Sequence, residues 1–186
     1  MAWFPRLESL TITHCPKLLS LPPIPWTSGP CYVDIENAGS VFKKLVYENN
    51  GPEVRLQIVG NGVSDSTFWK VLDFNHLIEL KELKVHSCPP LPLDQLMMLS
   101  SLKELLIAEG DNFWPVGESH VRYQFPVESL DVYSHGGSGK ELTRLLSCFP
   151  KLSKLQIYSC RKLTGLGVME QNGAATPMTS PPSLDE

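Results

Sequence analysis

The chain has 186 residues, 42% hydrophobic and 19% charged, which is enough apolar material for a sizeable core. Its net charge of −4 supplies none of the basic surface that nucleic acid or an anionic membrane attracts, so neither is an expected partner. No stretch approaches the ~20 apolar residues of a membrane span, and no basic-then-apolar leader follows Met1.

In chain order, Leu7, Leu10, Ile12 and Cys15 set a Leu-x-x-Leu-x-Ile-x-x-Cys pattern that continues to Leu18 and Leu21-Pro22. Residues 22–30, Pro-Pro-Ile-Pro-Trp-Thr-Ser-Gly-Pro, read as loop. A degenerate copy follows at Val33, Ile35 and Ala38. Over 40–47, Val41, Phe42, Leu45 and Val46 recur at helical spacing and predict a short helical turn. A second degenerate copy is Leu56, Ile58 and Asn61. Residues 66–78, with Phe68, Trp69, Val71, Leu72 and Leu77, predict another helical turn. Clear copies then come at Leu80, Leu83, Val85, Cys88 and Leu91, at Leu102, Leu105, Ile107 and Gly110, and at Val127, Leu130, Val132 and His135. After a helical stretch at 139–149 (Leu142, Leu145, Leu146, Phe149), the last copy is Leu152, Leu155, Ile157 and Cys160, continuing to Leu163 and Leu166.

Taking the middle apolar residue as register gives positions 10, 33, 56, 83, 105, 130 and 155, with steps of 22 to 27 residues. That is the period of leucine-rich repeats. Positions 10 and 12 alternate, so they share one face of a short strand, and the x-x gaps turn the chain inward at each end. One coil of this length cannot bury its own leucines, but stacked coils share a continuous core. The expected fold is therefore α/β: a leucine-rich-repeat solenoid, or horseshoe, of about seven repeats. It would carry a parallel sheet on the concave face and loops or short helices on the convex side. It would span residues 1–168, and 169–186 would be a disordered tail, since the stretch from Gly173 has no apolar period. The first repeat starts almost at Met1 without a polar cap. Either an upstream part is missing, or Trp3 and Phe4 partly cover the edge.

Cys15, Cys88, Cys160 and Asn61 fall at the repeat position that holds Cys or Asn inside the turn, next to backbone groups. The five cysteines are scattered without a CxxC pair, so free, buried thiols in a reducing, cytoplasmic setting are expected. The histidines show no paired metal spacing, and His86 and Cys88 should face opposite sides. Residues 136–142, Gly-Gly-Ser-Gly-Lys-Glu-Leu, have a glycine turn before a helix. A phosphate-binding loop would need Gly at Ser134 and Ser or Thr at Glu141, so a glycine-rich inter-repeat loop is the better reading. No nucleophile elbow or Cys/His pairing stands out. Neither catalysis nor a cofactor is expected.

The candidate site is the concave face, formed by strand residues pointing away from the core. In the clearer repeats these are Lys84 and His86, Glu104 and Leu106, Asp131 and Tyr133, and Lys154, Gln156 and Tyr158. Ala108, Tyr133 and Tyr158 should form one exposed column. Exposed tyrosines on a rigid sheet suit a protein contact. The plainer reading, that Tyr133 and Tyr158 stack on each other or cover the core edge, is slightly favoured, and a role as partner anchors stays open.

The stretches Phe4-Pro5-Arg6-Leu7-Glu8-Ser9-Leu10-Thr11-Ile12-Thr13-His14-Cys15 and Phe149-Pro150-Lys151-Leu152-Ser153-Lys154-Leu155-Gln156-Ile157-Tyr158-Ser159-Cys160 resemble a known family. They look like the C-terminal repeats of plant coiled-coil, nucleotide-binding, leucine-rich-repeat (NLR) disease-resistance proteins. The likeness spans about 1–168 and is weakest over 30–75. It implies a protein-recognition module for defence responses, without the nucleotide-binding switch. The implied partner is a protein: a pathogen effector, a guarded host protein, or an NLR nucleotide-binding module. The alternative is the substrate-binding repeat domain of an F-box-type ubiquitin-ligase adaptor, or a stand-alone scaffold.

Overall fold

The computed structural model describes residues 4–18, 20–39, 41–62, 67–109, 123–134, 136 and 138–165. Expectations for Trp3, Gly110, His120, His135, Gly137, Leu166 and the tail from Gly173 lie outside these. Eight strands form one sheet in chain order: β1 (Ser9–Thr13), β2 (Cys31–Glu36), β3 (Phe42–Asn49), β4 (Val54–Gly60), β5 (Glu82–His86), β6 (Glu104–Ala108), β7 (Ser129–Tyr133) and β8 (Lys154–Tyr158). The protein is thus α/β, with a mostly parallel sheet and few helices. The described helices are α1 (Leu93–Leu96), α2 (Gly139–Leu146) and two 3-10 turns, Phe68–Val71 and Phe74–His76. Among the described residues, no helix is long and apolar enough to cross a membrane.

The register places Leu10 opposite Val33, and Leu56, Leu83, Leu105, Leu130 and Leu155 in one row. A second row runs Ile58, Val85, Ile107, Val132 and Ile157. Interior members are sealed: Leu83, Val85 and Leu130 are 0% exposed. Phe68, Leu77, Leu91, Leu96, Phe125, Leu142 and Phe149 belong to the same core. The rows open at the two ends of the sheet. Leu10 and Ile12 of β1 are half-buried, and Leu155 of β8 is 37% exposed, because each end strand has a described neighbour on one side only.

Two expectations fail between β2 and β4. Residues 40–47 belong largely to strand β3, which pairs antiparallel with both neighbours, so the sheet has eight strands and the copies at 33 and 56 are not adjacent. The reason is a register shift between Phe42 and Lys44. It inserts one residue into an alternating pattern, so that Phe42 and Leu45 fall three apart, mimicking a helix. Asn50-Gly51 then closes the β3–β4 hairpin, with Gly51 at φ 79 and Asn50 N–H donating to Glu53 O at 3.0 Å.

At the ends of six strands the chain turns on a left-handed residue. His14, Asn37, Ser87, Glu109, Ser134 and Ser159 all have φ between 47 and 56, and each directly follows a strand that lies in a parallel pair. None is glycine, so each carries a cost of order 1 kcal/mol that the surrounding packing offsets. In return, five of their N–H groups extend the ladder: His14 to Glu36 O, Asn37 to Lys43 O, Ser87 to Ala108 O, Glu109 to Tyr133 O and Ser134 to Tyr158 O, at 2.8–3.1 Å. The cysteine of the repeat comes next. The thiols of Cys15, Cys88 and Cys160 donate to the carbonyls of Thr13, His86 and Tyr158 at 3.4, 3.1 and 3.4 Å.

The expectation of burial holds for only part of this set. Cys88 is buried, Cys160 half-buried and Cys15 exposed, following their distance from the ends of the sheet. Asn61 is also exposed. β4 leaves the sheet through Gly60, which has no left-handed φ and packs so close to Ser87 O that an added Cβ would sit 2.3 Å from it.

The loop-like 22–30 segment carries more structure than its composition suggests. Ile24 forms a parallel bridge with Leu72, and Trp26 is buried with its indole N–H on Pro22 O at 2.7 Å. The helical stretch at 139–149 is α2, ending at Leu146. Ser138 caps it: Glu141 N–H donates to Ser138 Oγ, and Ser138 N–H donates to the Glu141 carboxylate at 2.6 Å. Gly139 is required by close packing, since a Cβ there would lie 1.7 Å from Gly165 O. The glycine-rich stretch is thereby explained as a helix cap and a packing contact.

Candidate functional site: the open face of the sheet

Residues that alternate with the sealed rows form three rows on the opposite face. Over β4 to β8 these are Arg55, Glu82, Glu104, Ser129, Lys154; then Gln57, Lys84, Leu106, Asp131, Gln156; then Val59, His86, Ala108, Tyr133, Tyr158. The register thus brings Lys84, His86, Glu104, Leu106, Asp131, Tyr133, Lys154, Gln156 and Tyr158 onto one surface, with strands ~4.8 Å apart. Glu104, Lys154 and Tyr158 are exposed and the other six half-buried. β3 adds Lys44, Val46 and Glu48 to the same rows, beside Glu36, Asp34 and Tyr32 of β2. The helical spacing of 40–47 conceals Lys44 and Val46 in the sequence.

One expectation for this face fails. Ala108, expected to be exposed, is only 4% accessible. It is the smallest side chain in its row, between His86 and Tyr133.

Most charges at the β3–β5 end are already matched. Lys44 Nζ lies 3.9 Å from Asp34 and 3.8 Å from Glu36, Arg55 lies 3.0 Å from Glu82, and Lys84 also pairs with Glu82. Exposed pairs of this kind contribute ~0–1 kcal/mol each, and Asp34 Oδ1 at this end is buried without a hydrogen bond. Burial lowers the His86 imidazole below its ordinary value, Glu109 opposes that and Lys84 adds to it, so His86 is neutral near pH 7. Beside it, Ser87 Oγ donates to the Glu109 carboxylate at 2.8 Å.

The β6–β8 end differs. The rings of Tyr133 and Tyr158 stack with centroids 4.5 Å apart and planes 15° from parallel. The plainer sequence reading, that they stack, is therefore correct, and the stacked pair still presents Tyr158 to solvent at 39% exposure. Gln156 Nε2 donates to the Tyr158 hydroxyl. Local desolvation, then the neighbouring Tyr158 and Asp131, raise the Tyr133 phenol, which keeps it protonated. Between Leu106 and Gln156 sits Asp131, whose Oδ1 is buried and makes no hydrogen bond.

Among the described residues, no group of three or more His, Cys, Asp or Glu is arranged to hold a metal ion. No protein-family model matches the chain, and no curated protein or solved structure matches it either.

Proposed function

We propose that the chain is a leucine-rich-repeat solenoid interrupted by one antiparallel strand, and that it is a protein-recognition module without catalytic activity. Its working surface is the open, concave face at the β6–β8 end. The observation that carries this reading is the stacked Tyr133–Tyr158 pair, which presents Tyr158 to solvent at 39% exposure. Asp131, half-buried between Leu106 and Gln156, adds a carboxylate that can take a charged donor from a partner. The tyrosines add rigid apolar area with little ordering entropy. Leu106, half-buried in the same row as Asp131, supplies the apolar floor.

The partner is a protein carrying a lysine or arginine flanked by apolar side chains. On the resemblance to plant NLR repeats, it is a pathogen effector, a guarded host protein or an NLR nucleotide-binding module, met in the cytoplasm. The test is affinity capture from plant cell extract with the unaltered chain, an Asp131→Asn/Tyr133→Ala/Tyr158→Ala variant and a Met97→Ser/Met98→Ser variant. The methionines are exposed outside the sheet, at the end of α1. Losing two tyrosine anchors at about 2 kcal/mol each reduces capture of a specific partner at least tenfold. Retention by the triple variant and loss by the methionine variant would overturn the assignment.

A further inference from the structure

The antiparallel strand β3 leaves a hollow behind the sheet. Turns join β2 to β3 and β3 to β4, so no chain crosses the back of the sheet between them. The segments either side have to meet across the gap instead. Ile24 N–H donates to Val71 O at 2.9 Å, and Asp73 N–H donates to Ile24 O at 2.8 Å. Among the described residues, this line of contact closes the middle of the gap. On the side where β4 begins, a cavity of about 630 Å³ remains, within the size range of small-molecule pockets.

The lining of this cavity is apolar, charged and neutral polar, the last from Thr27, Ser28, Asn49 and Asn75. Pro23, Pro25, Val54 and Ile78 supply apolar wall, and Ile78 is left 50% exposed. The charged groups on it are Asp73 and Glu79, together with His76, whose Nδ1 lies 2.8 Å from the Asp73 carboxylate. Among the described residues, neither lysine nor arginine lines it. At its inner end stand Tyr47 and Asn49 of β3, both buried. The Tyr47 phenol is pushed up to about 12, mainly by burial, and so stays neutral. Asn49 is committed to the hairpin and the loop, donating to Gly29 O and accepting from Gly51 N–H, each at 3.2 Å.

A half-open cavity with apolar wall, two carboxylates and neither lysine nor arginine among its described lining residues favours a cationic ligand. We propose that this cavity binds a small organic ammonium ion, its apolar body against Pro23, Pro25 and Ile78 and its charged end at Asp73 and Glu79. An anion would meet two carboxylates with neither lysine nor arginine among the described lining residues to offset them, and a neutral isostere would lack the charge pairing. The site lies behind the sheet and stands whether or not the open face binds a protein.

Three matched probes test this on the full chain at pH 7.5: 2-phenylethylammonium, 2-phenylethanol and 3-phenylpropionate. Backbone amide shifts followed by NMR report both saturation and location. The ammonium is expected to bind saturably, with shifts concentrated in residues 23–28, 47–54 and 73–80. The alcohol is expected to bind about tenfold more weakly, because its hydroxyl carries no charge to pair with the carboxylates. The carboxylate probe is expected to show no saturation. An Asp73→Asn/Glu79→Gln variant should bring the ammonium down to the level of the alcohol. If the carboxylate binds as tightly as the ammonium, if the shifts fall elsewhere, or if the ammonium does not saturate, the proposal is wrong. The comparison of probes on the unaltered chain decides this even where the double variant does not fold.

Discussion

Leu130 and Leu155 occupy the same position of adjacent strands, yet their replacement should have different consequences. Leu130 is 0% exposed and flanked in its row by Leu105 and Leu155, whereas Leu155 is 37% exposed with only one described row neighbour. Leu130→Ala removes the transfer energy of the side chain and leaves a cavity that a packed row cannot close, about 3–4 kcal/mol. Leu155→Ala forfeits only part of the transfer energy, and water fills the gap, so about 1 kcal/mol is expected. With a urea slope near 2 kcal/mol/M, the midpoints should fall by about 1.5–2 M and about 0.5 M respectively. Urea unfolding followed by far-ultraviolet circular dichroism measures both. Equal losses would refute the reasoning, because they would mean that the row has no sealed interior and no open end.

Three other outcomes follow from the geometry. Gly139→Ala drives a methyl into Gly165 O, 1.7 Å away. It should destabilise by about 1–3 kcal/mol despite a favourable helix propensity, seen as a lowered melting temperature. In timed alkylation at pH 8 read by mass spectrometry, exposed Cys15 should react well before Cys88, whose thiol burial pushes up to about 12 and keeps protonated. For His86, burial depresses the folded value below the ordinary 6.5. The unfolded imidazole therefore takes up its proton first as pH falls, and its contribution to stability, intact above 6.5, is lost below it. His86→Asn should thus lose less stability than the unaltered chain between pH 7.5 and 5.5 in urea titrations.

Much of the β5–β8 half of the sheet is legible in the sequence because leucine spacing carries it. Leu83, Leu105, Leu130 and Leu155 are in register as their spacing requires, and the open-face residues of β5–β8 follow by alternation, Ala108 excepted. The β2–β4 part is not, because one inserted residue near Lys43 converts a strand pattern into a helical one. The Asn50-Gly51 pair is the available signal for the hairpin. Most of the left-handed turns after the strands cannot be read, since Ser87, Glu109, Ser134 and Ser159 are not residues that mark positive φ, unlike Asn37 and His14. Ser138 and Glu141, by contrast, do spell a capping box, which the glycines around them obscure. The cavity behind β3 is beyond reach of any motif: it arises where the chain does not cross.

The most direct test of the recognition surface is to place a photo-crosslinking phenylalanine analogue at position 156, beside the tyrosine pair, and separately at position 98, outside the sheet. Irradiated in plant cell extract, the chain labelled at 156 should yield a discrete protein adduct that unlabelled chain competes away, and the chain labelled at 98 should not. A competable adduct from position 98, with none from 156, would contradict the account.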